Sequence, residues 1–294
     1  MTRVPGPWTR RAAIAAGASA VLAGAARAED LPWRLPKLHQ VTVNGHRMAY
    51  YEMGESKSQP LVLVHGASGS PPLEWGRVMT PLARQFRVIA PYLIGFGPSD
   101  QPDLPYDAET FVDYLGGFLH ARVAEGAILV GESLGGWVAA QYAVRQGGRT
   151  AWRQSLPPIS HLVICDGAVQ VHPDQGGGGA QASVNDPDTA KRAHDFYASL
   201  PAVDDSKTTK AAGAHVAGQP VADAQLKAFK TPTLVIWGRE DKLIPLEDGR
   251  HVAAQIPGAR LVVIDHCGHI PSVEQPRAFL GALGGFLGVP LENL

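Results

Sequence analysis

Short runs of β-branched and aliphatic residues alternate with longer stretches whose apolar positions recur every three or four residues, and this alternation organises the chain from about residue 40 onward. Gln40–Val43 and Arg47–Glu52 flank Asn44-Gly45, a dipeptide that tolerates positive φ and so predicts a tight hairpin. Leu61–Val64, Arg87–Ala90, Ile128–Val130, His161–Cys165, Thr233–Trp237 and Leu261–Ile264 are apolar runs bounded by Gly, Pro or polar turn residues, the pattern of strands buried on both faces. Between them Phe111, Leu115, Phe118 and Leu119, and again Trp137, Ala140 and Val144, fall at helical spacing and predict helices that lay one face on the sheet. The expectation is an α/β fold: a three-layer α/β/α sandwich around a mostly parallel eight-stranded sheet.

Residues 168–230 interrupt the alternation with three short helical stretches and no strand. They read as a helical cap inserted after the sixth strand, leaving 29–167 and 231–294 as the core. Within the insertion, Gly176–Gly179 reads as a flexible surface loop, since no Lys-Ser or Lys-Thr follows at the spacing a phosphate cradle needs. Residues 1–28 differ in kind, carrying Arg3, Arg10, Arg11 and Arg27, no acidic residue, and a run of small and aliphatic residues from Ala12 to Ala26. Thr9-Arg10-Arg11 ahead of that run resembles a twin-arginine export signal, and Ala26-Arg27-Ala28 fits small-x-small cleavage. A mature chain beginning near Glu29, periplasmic or secreted, is expected, with an uncleaved amphipathic helix as the plainer alternative.

Composition changes this picture little: 294 residues, 45% hydrophobic and 18% charged, suit one sizeable core with an insertion. Of 26 basic side chains four lie in the leader, so 22 face 27 acidic ones after its removal. That balance points away from nucleic acid or an anionic membrane as partner and leaves a small-molecule substrate. Cys165 and Cys267 are too few for a disulfide framework or a zinc site. Both fall at strand ends, where a small buried hydrophobe is the usual role and one bridge between them the alternative. Oligomeric state is not legible in the chain.

The chemistry concentrates in a few loops. Gly131-Glu132-Ser133-Leu134-Gly135 stands between a strand and a helix, where small flanking residues let the backbone turn sharply and lift a serine hydroxyl above the strand ends. An ordinary helix start capped by Ser133 is the plainer reading of that motif alone. A serine nucleophile needs a base, and His269, in the loop past the last strand, is the candidate; His266 sits at the strand terminus, where packing is the expected role. A carboxylate must then orient the imidazole, and the candidates rank Asp241, Asp166, Glu240. Donors for a developing oxyanion are expected from the N–H groups of Leu134 and Ala67, with Ser68 second to Ala67, while His65 reads as a loop anchor.

Four separated segments agree on one family: the Ser133 turn, His65-Gly66, the Asp241 loop, and Gly268-His269-Ile270-Pro271 with Glu274 and Pro276 beyond. The chain resembles the α/β-hydrolase superfamily over nearly all of its mature length. The resemblance is nearest to the small-cap branch of esterases, carbon–carbon bond hydrolases and cofactor-free haloperoxidases. It implies an eight-stranded sheet, a cap after strand six and a serine hydrolase needing neither metal nor organic cofactor. Epoxide hydrolases and haloalkane dehalogenases of this superfamily carry aspartate where Ser133 stands, which argues against both. One segment departs: the loop Tyr92–Asp100 starts with tyrosine where aspartate is usual. Tyr92 and Ser68 of the core and Phe196 and Tyr197 of the cap are the candidate substrate contacts, with Leu200 near them. Cleavage of a carboxylic ester through an acyl-enzyme is the first expectation. Cleavage of a carbon–carbon bond in a meta-cleavage product is the alternative, and a non-catalytic binding protein on the same scaffold a third.

Overall fold

The computed structural model describes residues 20–22, 32–123, 126–151, 155–170 and 184–291. The twin-arginine segment, the cleavage motif and Gly176–Gly179 lie outside them. Asn44 (φ 50°) and Gly45 (φ 84°) both take the left-handed conformation that a two-residue hairpin requires, and they join β2 (Leu38–Val43) to β3 (His46–Met53). β4 (Pro60–Val64), β5 (Arg87–Pro91), β6 (Ala127–Glu132), β7 (Ile159–Cys165), β8 (Thr233–Gly238) and β9 (Arg260–Ile264) follow, all parallel to one another. The sheet order is β1-β9-β8-β7-β6-β4-β5-β3-β2, with the hairpin antiparallel at one edge.

These are the eight strands the hydrophobic runs indicate, each extended by one to three residues. The sequence reading has no counterpart for a further three-residue strand, β1 (Ala20–Leu22), which pairs in parallel with β9. It comes from the segment 1–28, and an open edge of unpaired backbone groups accepts any extended segment that reaches it.

Residues alternate across the strands, so the sheet supports two cores. Val62, Val64, Leu129, Leu162, Ile164 and Val235 point to one face, under α3 (Ala108–Arg122), α4 (Leu134–Arg145) and α8 (Leu246–Gln255). Leu61, Leu63, Ile128, Val130, Val163 and Ile236 point to the other. That face is covered by α1 (Pro71–Trp75), α2 (Met79–Leu82), α9 (Pro271–Glu274) and α10 (Pro276–Leu287). Each fully buried aliphatic side chain contributes roughly 1.5–3 kcal/mol relative to exposure, which makes these two layers the main source of stability. Cys165 and Cys267 are buried free thiols in the second layer.

Between β7 and β8 the described residues hold α5 (Pro187–Ala198), α6 (Ser206–Gly218) and α7 (Asp223–Leu226). Asp186 caps α5 by accepting from Thr189 N at 2.8 Å, with Pro187 in the first turn, where a missing N–H costs nothing. Gln219, just past α6, ties these helices to the core: its carbonyl accepts from Trp137 Nε1 (2.9 Å) and Gln141 Nε2 (2.7 Å), and its side chain accepts from Ala108 N (3.0 Å). No helix among the described residues is long and apolar enough to cross a membrane.

Candidate active site

The parallel register brings Val64, Gly131, Cys165, Gly238 and Ile264 to one rim of the sheet, and the chemistry-bearing loops leave from there. Ser133 sits between β6 and α4 at φ 51°, ψ −117°, a conformation costing a non-glycine residue about 1–3 kcal/mol. Its neighbours over-determine it: Ser133 N donates to Cys165 O at 3.0 Å, and Ser133 O accepts from Trp137 N (3.2 Å) and Ala168 N (3.0 Å). The flanking glycines are steric requirements. A methyl group on Gly131 would stand 2.2 Å from Gly135 O, and one on Gly135 would stand 2.2 Å from Val64 O.

His269, 3% exposed, lies in the loop between β9 and α9. Its Nδ1 and Asp241 Oδ2 are 2.7 Å apart. Asp241 Oδ1 accepts from Leu243 N (2.8 Å) and Ile244 N (3.0 Å), so three donors converge on one carboxylate and fix the imidazole's orientation. With Nδ1 as the donor, Nε2 is left as an acceptor; it is buried and finds no hydrogen-bond partner among the described residues, Ser133 included. Ser133 and His269 line the same cavity, of about 700 Å³, whose wall is mostly apolar.

The rival residues find other roles. Asp166, fully buried at φ 42°, accepts from Gly238 N at 2.9 Å. Burial first, and the neighbouring Asp241 second, push its carboxyl well above the ordinary range, so it is a neutral acid behind the triad-like array. Asp166, Asp241 and His269 also have the donor types of a metal site, each with an atom within 4.8 Å of the others. The His269–Asp241 hydrogen bond, however, already commits the inner nitrogen and one carboxylate oxygen. Glu240 accepts from Cys267 N, and His266 is exposed. His65, fully buried, accepts from Leu93 N at 2.9 Å through Nε2 and donates from Nδ1 to Gly66 O at 2.7 Å; burial lowers it to about 4, keeping it neutral.

Ala67 stands exposed on the cavity wall, and Ser68 lines it beside Ala67. Leu134 occupies the first position of α4, where the N–H has no partner within the helix, while its side chain enters the core. Tyr197 also lines the cavity. Two of the expected substrate contacts do not. Tyr92 is buried against Tyr51 and His65, at centroid distances of 6.0 and 6.2 Å, because the backbone at Gly97 closes over its ring. Phe196 stacks on Trp33 at 5.2 Å, since one step along a helix turns it about 100° from Tyr197 and toward the Leu73–Ile270–Val273 cluster. Leu200 is half-buried away from the cavity.

Sequence reasoning missed two carboxyls in the cavity wall, Glu74 (2% exposed) and Glu132 (1% exposed). Glu74 accepts from Gly66 N at 2.7 Å and from Ser68 Oγ, fastening the loop that carries Ala67. Glu132 accepts from Ser272 Oγ at 2.9 Å. Burial raises Glu74 to about 7 and, with Glu74 beside it, raises Glu132 well above the ordinary range. The available signal was Glu132 itself, a charged residue ending a buried strand. Glu74 gave none, because a lone acid in a short Pro-rich turn reads as surface. Glu274 completes the pegs: it accepts from Gly268 N (2.9 Å), Ile270 N (3.4 Å) and Asn185 N (2.9 Å), tying the His269 loop to the start of the inserted helices.

Comparison with known proteins identifies the family. Residues 61–282 match the model of the alpha/beta hydrolase family. The chain is 33% identical over 254 residues to a 2-hydroxymuconate semialdehyde hydrolase of Pseudomonas sp. (strain CF600), covering 78% of this chain and 86% of that protein. A solved hydrolase from Pseudomonas aeruginosa superposes with a TM-score of 0.73 at 27% identity, covering 86% of this chain and 98% of that one. An esterase from Thermogutta terrifontis does so with a TM-score of 0.70 at 26% identity, again covering 86% and 98%. The strained serine, the histidine after the last strand and the matching family model lead to one conclusion: the chain is a hydrolase belonging to the alpha/beta hydrolase family.

Proposed function

We propose that the chain hydrolyses carboxylic esters of small or medium organic acids through an acyl-enzyme on Ser133. The observation that carries this reading is the unpartnered Nε2 of His269 in a cavity wall shared with Ser133, its other nitrogen tied to Asp241. Ser133 Oγ attacks the ester carbonyl as its proton passes to Nε2, and the oxyanion rests on the Ala67 and Leu134 N–H groups. His269 then protonates the leaving alcohol, and water releases the acid by the same steps in reverse roles. Residues 168–230 act as the cap over this site.

A second reading, hydrolysis of a carbon–carbon bond in a vinylogous diketone, draws support from the similarity to the semialdehyde hydrolase. Turnover of p-nitrophenyl esters and of a coloured meta-cleavage diketone by the purified protein separates the two. Ester turnover is expected, with Ser133→Ala reducing kcat/KM by about 10⁴-fold or more. Diketone turnover without ester turnover would replace the first reading by the second. We propose further that residues 1–28 direct export. The N-terminus of the processed protein is then expected near Glu29 in the periplasm or medium, and an intact N-terminus retained in the cytosol would contradict it.

A further inference from the structure

One peptide unit decides where the expected oxyanion donor of the loop after β4 points. The bond between Gly66 and Ala67 is trans, so the Gly66 carbonyl and the Ala67 N–H face opposite ways. His65 Nδ1 (2.7 Å) and Gly69 N (3.2 Å) both donate to that carbonyl. Ala67, exposed on the cavity wall, keeps its N–H out of the loop's own hydrogen bonds. The loop also presses on the nucleophile, since a methyl group on Gly66 would stand 2.9 Å from Ser133 Cβ.

The two residues flanking Ala67 are held by one side chain. From α1 the Glu74 carboxyl reaches back to the loop, with Oε2 accepting from Gly66 N at 2.7 Å and Oε1 bonded to Ser68 Oγ. Ser68 Oγ in turn accepts from Ser70 N at 3.2 Å, and Ser70 Oγ caps α1 by accepting from Leu73 N at 3.3 Å, which closes residues 66–74 into one clasp. The helix under the clasp is itself fixed: Leu73 packs with Ile270 and Val273, and Trp75, fully buried, lies 6.2 Å from the Phe279 ring of α10. Neither bond of Glu74 depends on its charge. A carboxylate accepts both, and a neutral acid accepts from Gly66 N while donating to Ser68 Oγ.

We propose that Glu74 is a positioning residue that holds the Ala67 N–H where the oxyanion forms. The inference rests on the proposed attack of Ser133 on a carbonyl, a step that ester and diketone hydrolysis share. A donor aimed at charge that exists only in the transition state lowers the barrier without tightening ground-state binding. Loss of Glu74 therefore acts on the transition state and spares affinity for a planar, neutral ligand.

The test compares n-pentylboronic acid with hexanamide as inhibitors. Boron accepts a lone pair of Ser133 Oγ while the hydroxyl proton passes to His269 Nε2, and the tetrahedral boronate anion places an oxygen where the oxyanion would stand. Glu74→Met fills similar space without the two hydrogen bonds. In that variant the boronate's inhibition constant is expected to rise at least about tenfold while that of hexanamide stays within about twofold. For p-nitrophenyl hexanoate, kcat falls about 10–100-fold with KM within about threefold. Glu74→Gln, whose Oε1 accepts from Gly66 N and whose Nε2 donates to Ser68 Oγ, recovers most of the loss. Ser68→Ala removes one of the two contacts from a half-buried position, and a smaller rise for the boronate alone answers the question where Glu74→Met folds poorly. Boronate and amide weakened by the same factor, neither weakened, or Glu74→Gln as impaired as Glu74→Met overturns the proposal. So does a wild type that binds no boronate. If no ester is cleaved yet the boronate alone weakens in Glu74→Met, the ester reading falls and the positioning role stands. Ester turnover with an unchanged boronate-to-amide ratio defeats the positioning role alone.

Discussion

The two sides of the cavity are built differently. On the core side backbone holds three of the functional groups: Ser133 through Cys165, Trp137 and Ala168, Asp241 through Leu243 and Ile244, Glu74 through Gly66. On the cap side Tyr197 is 45% exposed and Val203 40% exposed, and Gln219 carries much of the tie to the core. Groups that must meet within hydrogen-bonding distance are thus mounted on strand ends, whereas groups that need only exclude or admit a substrate ride on helices with few anchors. Rigidity is concentrated where geometry controls the barrier.

A matched pair of substitutions gives this contrast its largest test. Gly135→Ala, on the core side, forces a methyl group against Val64 O and is expected to cost about 3 kcal/mol in urea unfolding, with activity lost in proportion to displacement of Ser133. Gly213→Ala, inside α6 on the cap side, meets nothing within 4 Å and is expected to add roughly 0.5–1 kcal/mol. Equal destabilisation by the two would erase the distinction.

Protonation provides the next effect. Burial raises Glu74 to about 7 and lifts Glu132 and Asp166 well above the ordinary carboxylate range, so the folded chain retains protons that the unfolded chain releases from about pH 4 for Asp166 and about pH 4.5 for the two glutamates. Their contribution to stability is therefore full on the acid side of that window and declines as pH rises from about 4.5 to about 7. Unfolding free energies measured across this range should show the decline, and Glu74→Gln should make it shallower. A rise in stability over that range caused by these groups would contradict the assignment. The smallest effect belongs to the cap: Tyr197→Ala should shift KM among esters of different length by a few-fold while leaving the fold intact, as read by steady-state kinetics.

Much of this was legible in the chain because strand ends and turns are local. Asn44-Gly45, the buried runs and the glycines around Ser133 encode their own geometry, and a histidine just past the last strand has few places to go. Tyr92 and Phe196 were misread for a different reason. Whether a side chain enters the cavity depends on the closing of the Gly97 backbone over one ring and on a helical rotation that turns the other onto Trp33. Glu74 and Glu132 escaped notice because burial of an acid is a tertiary fact, created by Gly66, Ser68 and Ser272 arriving from elsewhere. The strand Ala20–Leu22 is likewise set by the open edge of β9.

Intact-protein and peptide mass spectrometry after exposure to a fluorophosphonate tests the central claim most directly. The account predicts one adduct per chain, mapped to Ser133, formed rapidly in the wild type and slowed by orders of magnitude in His269→Ala. An unmodified Ser133, or labelling that proceeds as fast without His269, would contradict it.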